Sequence, residues 1–197
     1  MSVPEPVYGL LLAGGESRRM GHDKASLKVA GETQLERAAR RLGEHVERVF
    51  VSARAEQADD PLRGRFDCIV DRYDDLGPVA GILSAYDEHP GVSWLVLACD
   101  LPNIDAATLE FLLQHASATR PFTAFISVED GLPEPLCALY RPPGGALLRG
   151  FVDEGLKCPR KMLIRSDTCL LEQPRPGALV NVNRPEDLEG TGIELAP

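Results

Sequence analysis

The chain has 197 residues, of which 44% are hydrophobic and 26% are charged, and its net charge is −9. This composition predicts a single domain over residues 1–197 with a sizeable core, and it excludes a largely disordered chain. The acidic balance argues against broad nucleic-acid binding, which needs a basic face. No apolar stretch approaches the ~20 residues that cross a membrane, and the N-terminus lacks a signal-peptide pattern, so we expect a cytoplasmic protein.

The five cysteines are spread along the chain without any Cys-x-x-Cys pair. This odd count and this spacing argue against a structural zinc site and against a disulfide framework. Three of them, Cys68, Cys99 and Cys137, lie in apolar runs. We therefore expect these three to be buried as small hydrophobic residues.

The first half of the chain alternates short apolar runs with amphipathic stretches. The runs predict strands at Val7–Ala13, Val46–Ala53, Cys68–Val70 and Trp94–Ala98. The stretches predict three helices: one from a capping box at Thr33 to about Leu42, one over Val79–Tyr86, and one capped by Asp105. This alternation is typical of an α/β fold with a largely parallel sheet.

The second half of the chain is less regular. Strands are predicted at Phe122–Ser127 and Pro135–Tyr140 around an Asp-Gly turn, and a helix is predicted at Ala146–Glu154. The segment Lys157–Arg165 is compatible with either a helix or a loop. A further helix is predicted to begin near Pro185, and the tail from Gly190 to Pro197 is expected to be loose.

A glycine pair, Gly14-Gly15, ends the first predicted strand, and Arg18, Arg19 and Lys24 follow it. Glycine lets backbone N–H groups turn into a loop and meet an anion, and the cations add positive charge beside them. The spacing matches neither the Walker A loop nor the Gly-x-Gly-x-x-Gly dinucleotide loop. The pattern predicts a loop that binds a nucleoside triphosphate, and the alternative is a glycine turn followed by a solvated basic loop.

Two aspartates follow later strands in the same way. Asp71 follows Cys68–Val70, and Asp100 follows Trp94–Ala98. Because ligands bind at the carboxyl ends of the strands in such sheets, Gly14, Asp71 and Asp100 are predicted to converge on one edge. Asp100 would either hold Mg²⁺ together with substrate phosphates or accept N–H bonds in the following turn, and the residue pattern alone leaves both open.

Four segments together resemble a known family. They are the loop Leu-x-x-Gly-Gly-x-Ser-x-Arg-Met-Gly-x-Asp-Lys, the segment Asp71-x₅-Gly77-Pro78, the tetrapeptide Cys-Asp-x-Pro, and Asn181-x-Asn183-x-Pro-Glu-Asp. This combination resembles the nucleotidyltransferases and, among them, the molybdenum cofactor guanylyltransferase family. The resemblance implies a Rossmann-like three-layer fold with a mostly parallel central sheet and helices on both faces.

The resemblance also implies an activity, namely the Mg²⁺-dependent transfer of GMP from GTP to the phosphate of molybdopterin, or molybdenum cofactor, with release of pyrophosphate. It implies catalytic roles for Arg18, Lys24 and Asp100, with Asp100 as the magnesium ligand. The residues implied to bind the nucleotide are Leu12, Ala13, Gly14, Gly15, Lys24, Ser52, Asp71, Gly77, Pro78 and Asp100. The residues implied to bind the second substrate are Arg160, Asn181 and Asn183. Transient molybdoenzyme or cofactor-biosynthesis partners are implied as well, and no nucleic-acid or membrane partner is.

Two other functions stay open at this point. One is a nucleotidyltransferase that uses CTP with a pterin cofactor, or that acts on a sugar phosphate; the other is a catalytically silent nucleotide-binding module on the same fold. The Gly-Gly and Gly-Pro pairs favour the guanylyl branch, and intact Lys24 and Asp100 argue against a silent module. Ser52 stands where the family often has asparagine. Three cations outside the motifs are predicted to be surface charges: Lys28, Arg63 and Arg65.

Overall fold

The computed structural model describes residues 5–13, 24–29, 31–57, 59–180 and 193–194. Its strands are β1 Val7–Leu12, β2 Lys28–Val29, β3 Glu32–Thr33, β4 Arg48–Ala53, β5 Asp67–Val70, β6 Ser93–Ala98, β7 Phe122–Ile126, β8 Pro133–Tyr140, β9 Thr168–Leu171 and β10 Ile193–Glu194. Its α-helices are α1 Gln34–Gly43, α2 Pro78–Glu88, α3 Ala106–Gln114, α4 Pro143–Asp153 and α5 Pro159–Ile164. Short 3₁₀ turns cover Lys24–Ser26, Ala55–Gln57 and Arg63–Arg65.

Seven of these strands form one central sheet in the order β5-β4-β1-β6-β8-β7-β9. The pairs β5–β4, β4–β1, β1–β6 and β7–β9 are parallel. Only β8 runs against the others within this sheet, since it pairs antiparallel with both β6 and β7. The predicted mostly parallel sheet is therefore confirmed.

Helices cover both faces of the sheet because side chains alternate along each strand. Leu10 of β1 points into a core built with Val79 of α2 and Leu148 of α4. Its neighbour Leu11 points into the opposite core, which is built with Leu35 of α1 and Leu109 of α3. Strand β6 lies between the two cores and is buried at every position, as a strand covered on both faces requires. The three-layer prediction is confirmed.

Helix α1 begins at the capping box that the sequence predicts. The Thr33 hydroxyl accepts the backbone N–H of Glu36 at 3.2 Å, and the Glu36 carboxylate accepts the backbone N–H of Thr33 at 3.0 Å. Near the other end of the helix, the Arg41 guanidinium donates to the backbone carbonyl of Ile104, in the loop that follows β6. Helix α1 is therefore capped at its N-terminal end and is tied, near its C-terminal end, to a loop at the carboxyl edge of the sheet.

Several element predictions need correction. The segment Lys157–Arg165, for which the sequence allowed either a helix or a loop, contains helix α5. Strand β9 was not predicted. The expectation of a loose tail is wrong for Ile193–Glu194, because these residues pair antiparallel with Lys28–Val29. Cys137 is buried as expected, whereas Cys68 and Cys99 are only partly buried. The helix predicted near Pro185 lies outside the described residues. Nowhere in those residues is a helix both long and apolar enough to cross a membrane.

We expect Thr33→Ala to lower the free energy of unfolding by about 1 kcal/mol, the typical cost of losing an N-cap side chain. The substitution removes the acceptor for the Glu36 N–H and the hydroxyl that also donates to the Glu36 carboxylate. Urea denaturation followed by circular dichroism measures the change, and Thr33→Ser is the matched control because serine keeps the hydroxyl. An alanine variant as stable as the wild type would show that the capping box does not stabilise α1.

Candidate active site

Four parallel strands end in register at one edge of the sheet. Leu12 of β1 pairs with Ser52 of β4 on one side and with Ala98 of β6 on the other. The last residue of β4 pairs with Val70 of β5. The residues that follow these strands therefore meet along an edge about 14 Å long, three strand spacings from β5 to β6. Asp71 and Asp100 both leave the sheet here, so their predicted convergence is confirmed.

The chain leaves β1 along a fixed path as far as Ala13. The Ala13 N–H donates to the Ser52 carbonyl at 3.2 Å, and the Cys99 N–H donates to the Leu12 carbonyl at 3.3 Å. Leu12 is partly buried and Ala13 is buried. Gly14, Gly15 and Arg18 lie outside the described residues, and for Lys24 only the backbone of its 3₁₀ turn is described. Their roles stay predictions.

Asp71 is held by a buried serine on the neighbouring strand. The Ser52 hydroxyl donates to the Asp71 carboxylate at 2.8 Å, and Ser52 itself is only 2% exposed. Burial raises the pKa of the Asp71 carboxyl, and the hydrogen bond from Ser52 partly offsets this by lowering it. The structure thus gives Ser52 a definite partner, whereas its predicted contact with a nucleotide stays a prediction.

The first turns of helix α2 pack against the ends of β1 and β4, close to Ser52. Gly77 precedes the helix with a φ of 55°, in the region that favours glycine, and Pro78 occupies its first position. Gly81 lies one turn further along. A Cβ atom there would come within 2.2 Å of the Ser52 hydroxyl oxygen and 3.1 Å of a Leu12 methyl carbon. Gly81 therefore lets α2 approach the ends of β1 and β4, a role that the sequence analysis missed.

Asp100 lies in the loop between β6 and α3 and is half-buried. The loop is anchored by Leu101 and Ile104, which are buried in the core shared with α1 and α3. The Arg41 guanidinium also contacts the Pro102 carbonyl, at 3.4 Å, and burial lowers the pKa of Arg41. These contacts fix the backbone of residues 101–104, which follow Asp100 in the chain.

The donor set at this edge fits a magnesium ion only together with a substrate. Within the described ranges, no group of three or more histidine, cysteine, aspartate or glutamate side chains is arranged to hold a metal. Mg²⁺ commonly takes one or two carboxylates and completes its shell with phosphate oxygens and water. Asp100, half-buried at the carboxyl end of β6, supplies a carboxylate of that kind.

A cleft of about 380 Å³ opens beside the edge, between the start of α2, the loop after β6, strand β8 and helix α5. Its walls include Pro78, Leu101 and Leu179. Arg160 also lines it, and the Arg160 guanidinium contacts the carboxylates of Asp130 and Glu134 at 2.9 Å each. The predicted second-substrate residue Arg160 is therefore at the cleft but already shares its charge with two acids. Asn181 and Asn183 lie outside the described residues.

The prediction that Arg63 is a surface charge is wrong. The side chain is 1% exposed, and its guanidinium donates to the Ala13 carbonyl at 2.7 Å. Arg65, two residues on, is exposed and pairs with Glu36, and Lys28 is also exposed. The 3₁₀ turn points one arginine inward and the next outward. The one cue in the sequence was Asp60, three residues before Arg63, which faces its guanidinium at 3.6 Å.

Residues 9–168 match the family described as MobA-like NTP transferase domain. The chain belongs to this family. It is 35% identical over 193 residues to the "Probable molybdenum cofactor guanylyltransferase" of Opitutus terrae, covering 91% of each chain. It is 37% identical over 182 residues to the "Molybdenum cofactor biosynthesis bifunctional protein" of a Synechocystis species, covering 92% of this chain and 52% of that one. The chain thus spans about half the length of this bifunctional relative.

The fold is also similar to a solved structure. The molybdopterin-guanine dinucleotide biosynthesis protein A of Archaeoglobus fulgidus superimposes with a TM-score of 0.78 at 22% identity, covering 94% of this chain and 96% of that one. At this identity the likeness concerns the fold alone. Together with the family match, it assigns the chain to the nucleotidyltransferases with a mostly parallel, helix-covered sheet.

We expect Ser52→Ala to lower the free energy of unfolding more at pH 7 than at pH 4. Burial raises the pKa of Asp71 in the folded protein above its value in the unfolded chain. The carboxyl group therefore costs stability as it becomes charged, when the pH rises past the unfolded pKa and through the folded pKa. Losing the Ser52 hydroxyl raises the folded pKa further and enlarges this cost. The loss at pH 7 should be about 1.5–3 kcal/mol, the value of a hydrogen bond to a charged group.

Urea denaturation at both pH values measures the effect, and Ser84→Ala is the matched control. Ser84 is equally buried, but its hydroxyl donates to the Ala80 carbonyl and accepts the Arg72 N–H, so it contacts backbone only. The cost of Ser84→Ala should not change with pH. The same cost at pH 4 and pH 7 for Ser52→Ala would contradict the coupling of Ser52 to Asp71.

Proposed function

We propose that this protein transfers GMP from GTP to the phosphate of molybdopterin, in the molybdenum cofactor, and releases pyrophosphate. The observation that carries the proposal is the shared register of β5, β4, β1 and β6, which brings Ala13, Asp71 and Asp100 to one edge. The relative from Opitutus terrae, similar over nearly the full length of both chains, carries the name of this activity. The proposal covers residues 1–197 as one nucleotidyltransferase domain.

The nucleotide would lie along this edge. In the proposal Gly14 and Gly15 let the backbone approach it, and Arg18 and Lys24 neutralise the triphosphate and the pyrophosphate that leaves. The hydrogen-bonded pair of buried Ser52 and half-buried Asp71 forms the β4–β5 end of the site. The remaining nucleotide-binding residues in the proposal are Leu12, Ala13, Gly77 and Pro78, which flank the same strand ends.

Little covalent work is left for the protein in such a transfer. The phosphate of the second substrate attacks the α-phosphorus of GTP and displaces pyrophosphate, so no side-chain nucleophile is required. Catalysis then consists of positioning the two substrates and neutralising their charge. Asp100 would hold a Mg²⁺ ion, which when bound supplies positive charge to the phosphate oxygens.

The second substrate would occupy the cleft beside α5. Its walls combine apolar side chains with polar groups at the rim, the usual make-up of a small-molecule site. Arg160 would serve it from the cleft wall, with Asn181 and Asn183 from the segment that follows Val180. The transient molybdoenzyme or cofactor-biosynthesis partners and the cytoplasmic location stay predictions from the sequence.

We expect the protein to bind GTP more tightly than CTP or ATP when Mg²⁺ is present. Calorimetry with the three nucleotides measures the preference, and pyrophosphate release in the presence of molybdopterin tests the transfer itself. Equal affinities, or a preference for CTP, would contradict the guanylyl assignment and leave the family assignment intact. Tight binding of GTP without pyrophosphate release would instead indicate a catalytically silent nucleotide-binding module.

We expect Asp100→Asn to abolish Mg²⁺-dependent transfer while the protein stays folded. The position is half-buried, and asparagine matches aspartate closely in size and shape, so in the absence of ligands the amide should fold equally well. Thermal melts with and without Mg²⁺ and GTP, together with turnover, measure both effects. The mutant should lose most of the stabilisation that Mg²⁺ and GTP together give the wild type.

Asp105→Ala is the matched control for this prediction. The Asp105 carboxylate caps α3 by accepting the Thr108 N–H at 2.9 Å, and it pairs with Arg175 at 2.5 Å. Its loss should lower the melting temperature in every condition and spare turnover. If Asp100→Asn behaves in that same way, Asp100 only ties down the turn and the magnesium assignment is wrong.

A further inference from the structure

Arg63 is an arginine whose side chain is almost entirely withdrawn from solvent. It lies in the short 3₁₀ turn Arg63–Arg65, between β4 and β5, and is among the largest fully buried side chains of the described residues. Removing a guanidinium from water is expensive unless its hydrogen bonds are remade inside the protein. A charge in such a place therefore calls for an explanation in terms of what it contacts.

One contact of the guanidinium is with the first residue beyond β1. One terminal nitrogen of the guanidinium, Nη2, donates to the Ala13 carbonyl at 2.7 Å. The turn that carries Arg63 is held in turn by Asp60, whose carboxylate accepts the backbone N–H groups of Leu62 at 2.9 Å and of Arg63 at 3.2 Å. The backbone from which the Arg63 side chain extends toward Ala13 is therefore held in place by Asp60.

Ala13 is fixed from both sides as a result. Its N–H donates to the Ser52 carbonyl of β4, and its carbonyl accepts from Arg63. A trans peptide unit is planar and holds its C=O and N–H in opposite directions. The hydrogen bond from Arg63 therefore fixes the direction of the Ala13 carbonyl, the last described group before the glycine pair.

We propose that Arg63 is a positioning residue for the triphosphate, acting through the Ala13 carbonyl on the loop that begins at Gly14. The inference rests on the proposed function, in which that loop approaches the phosphates. The guanidinium, which also faces the Asp60 carboxylate at 3.6 Å, holds the Ala13 carbonyl at the carboxyl edge, where a polyanion would bind. In this role it contacts backbone and not the reacting atoms.

The test compares GTP with guanosine, which lacks the phosphates. We expect Arg63→Met, which keeps a buried stem but removes the donor and the charge, to weaken GTP binding at least tenfold in the presence of Mg²⁺. Guanosine binding should stay within about twofold, because guanosine carries no phosphate and the inferred role of Arg63 concerns the phosphates. The matched control is Arg65→Met on the same turn, where the side chain is exposed, and both affinities should match the wild type.

Two outcomes would overturn the inference. One is a folded Arg63→Met protein with a lower melting temperature but the GTP affinity of the wild type, which would make Arg63 purely structural. The other is an equal loss for GTP and guanosine, which would indicate general damage to the site. If the methionine variant does not fold, Arg63→Lys decides. Lysine keeps the charge on a shorter stem, so GTP binding should weaken several-fold, and wild-type affinity would contradict the inference.

The same experiment separates this inference from the proposed function. If the wild type binds CTP in preference to GTP, the guanylyl assignment fails, and the comparison is repeated with CTP and cytidine, because the inferred role of Arg63 concerns the phosphates that both nucleotides share. If the wild type binds no nucleoside triphosphate, the proposed function itself fails. If the wild type binds GTP and Arg63→Met binds it equally well, only the role of Arg63 is wrong.

Discussion

The parallel pairing of β1 with β4 and β6 is the constraint on which the site depends. The pairing continues one residue past the strand ends, through hydrogen bonds from Ala13 to Ser52, from Cys99 to Leu12 and from Asp71 to Ala53. The first residue of each loop therefore keeps the geometry of the sheet. A slip of β1 by one residue would turn Leu10 and Leu11 toward the wrong cores, so the packing of both faces fixes the register of β1 at the edge.

Buried and half-buried arginines secure the loops that leave this edge. Arg63 holds a carbonyl of the loop after β1, and Arg41 contacts carbonyls of the loop after β6. Both use a cation to satisfy backbone acceptors, in a chain whose net charge is −9. In the proposed function, the phosphate charge must then be met mainly by Arg18, Lys24 and a metal ion.

Local signals made most of the fold predictable. The capping box of Thr33 and Glu36 and the Asp-Gly turn between β7 and β8 act within a few residues, and both are confirmed. Strand β9 was missed because it is short, and its pairing with β7 spans more than forty residues along the chain. Such a pairing leaves no periodic pattern in the sequence.

The candidate site likewise combines features that the sequence predicts with features that depend on contacts between distant parts of the chain. The convergence of Asp71 and Asp100 at one edge followed from the parallel direction of the strands, which the alternation of strands and helices predicts. The sequence did not predict the burial of Arg63 or the ion pairs of Arg160 with Asp130 and Glu134. Both depend on how turns pack against strands that are distant along the chain. The contact between Ser52 and Asp71 joins residues on adjacent strands 19 positions apart, and sequence reasoning had no means to find it.

The close approach of Gly81 to Ser52 links a position in helix α2 to a position in strand β4. Any side chain at position 81 competes for the volume that the Ser52 hydroxyl occupies. Alanine at position 52 would remove the closest of these contacts and leave its own Cβ atom 2.9 Å from the added one, and it would also leave the carboxylate of Asp71 without its donor. Steric and electrostatic requirements at these three positions must therefore be selected together.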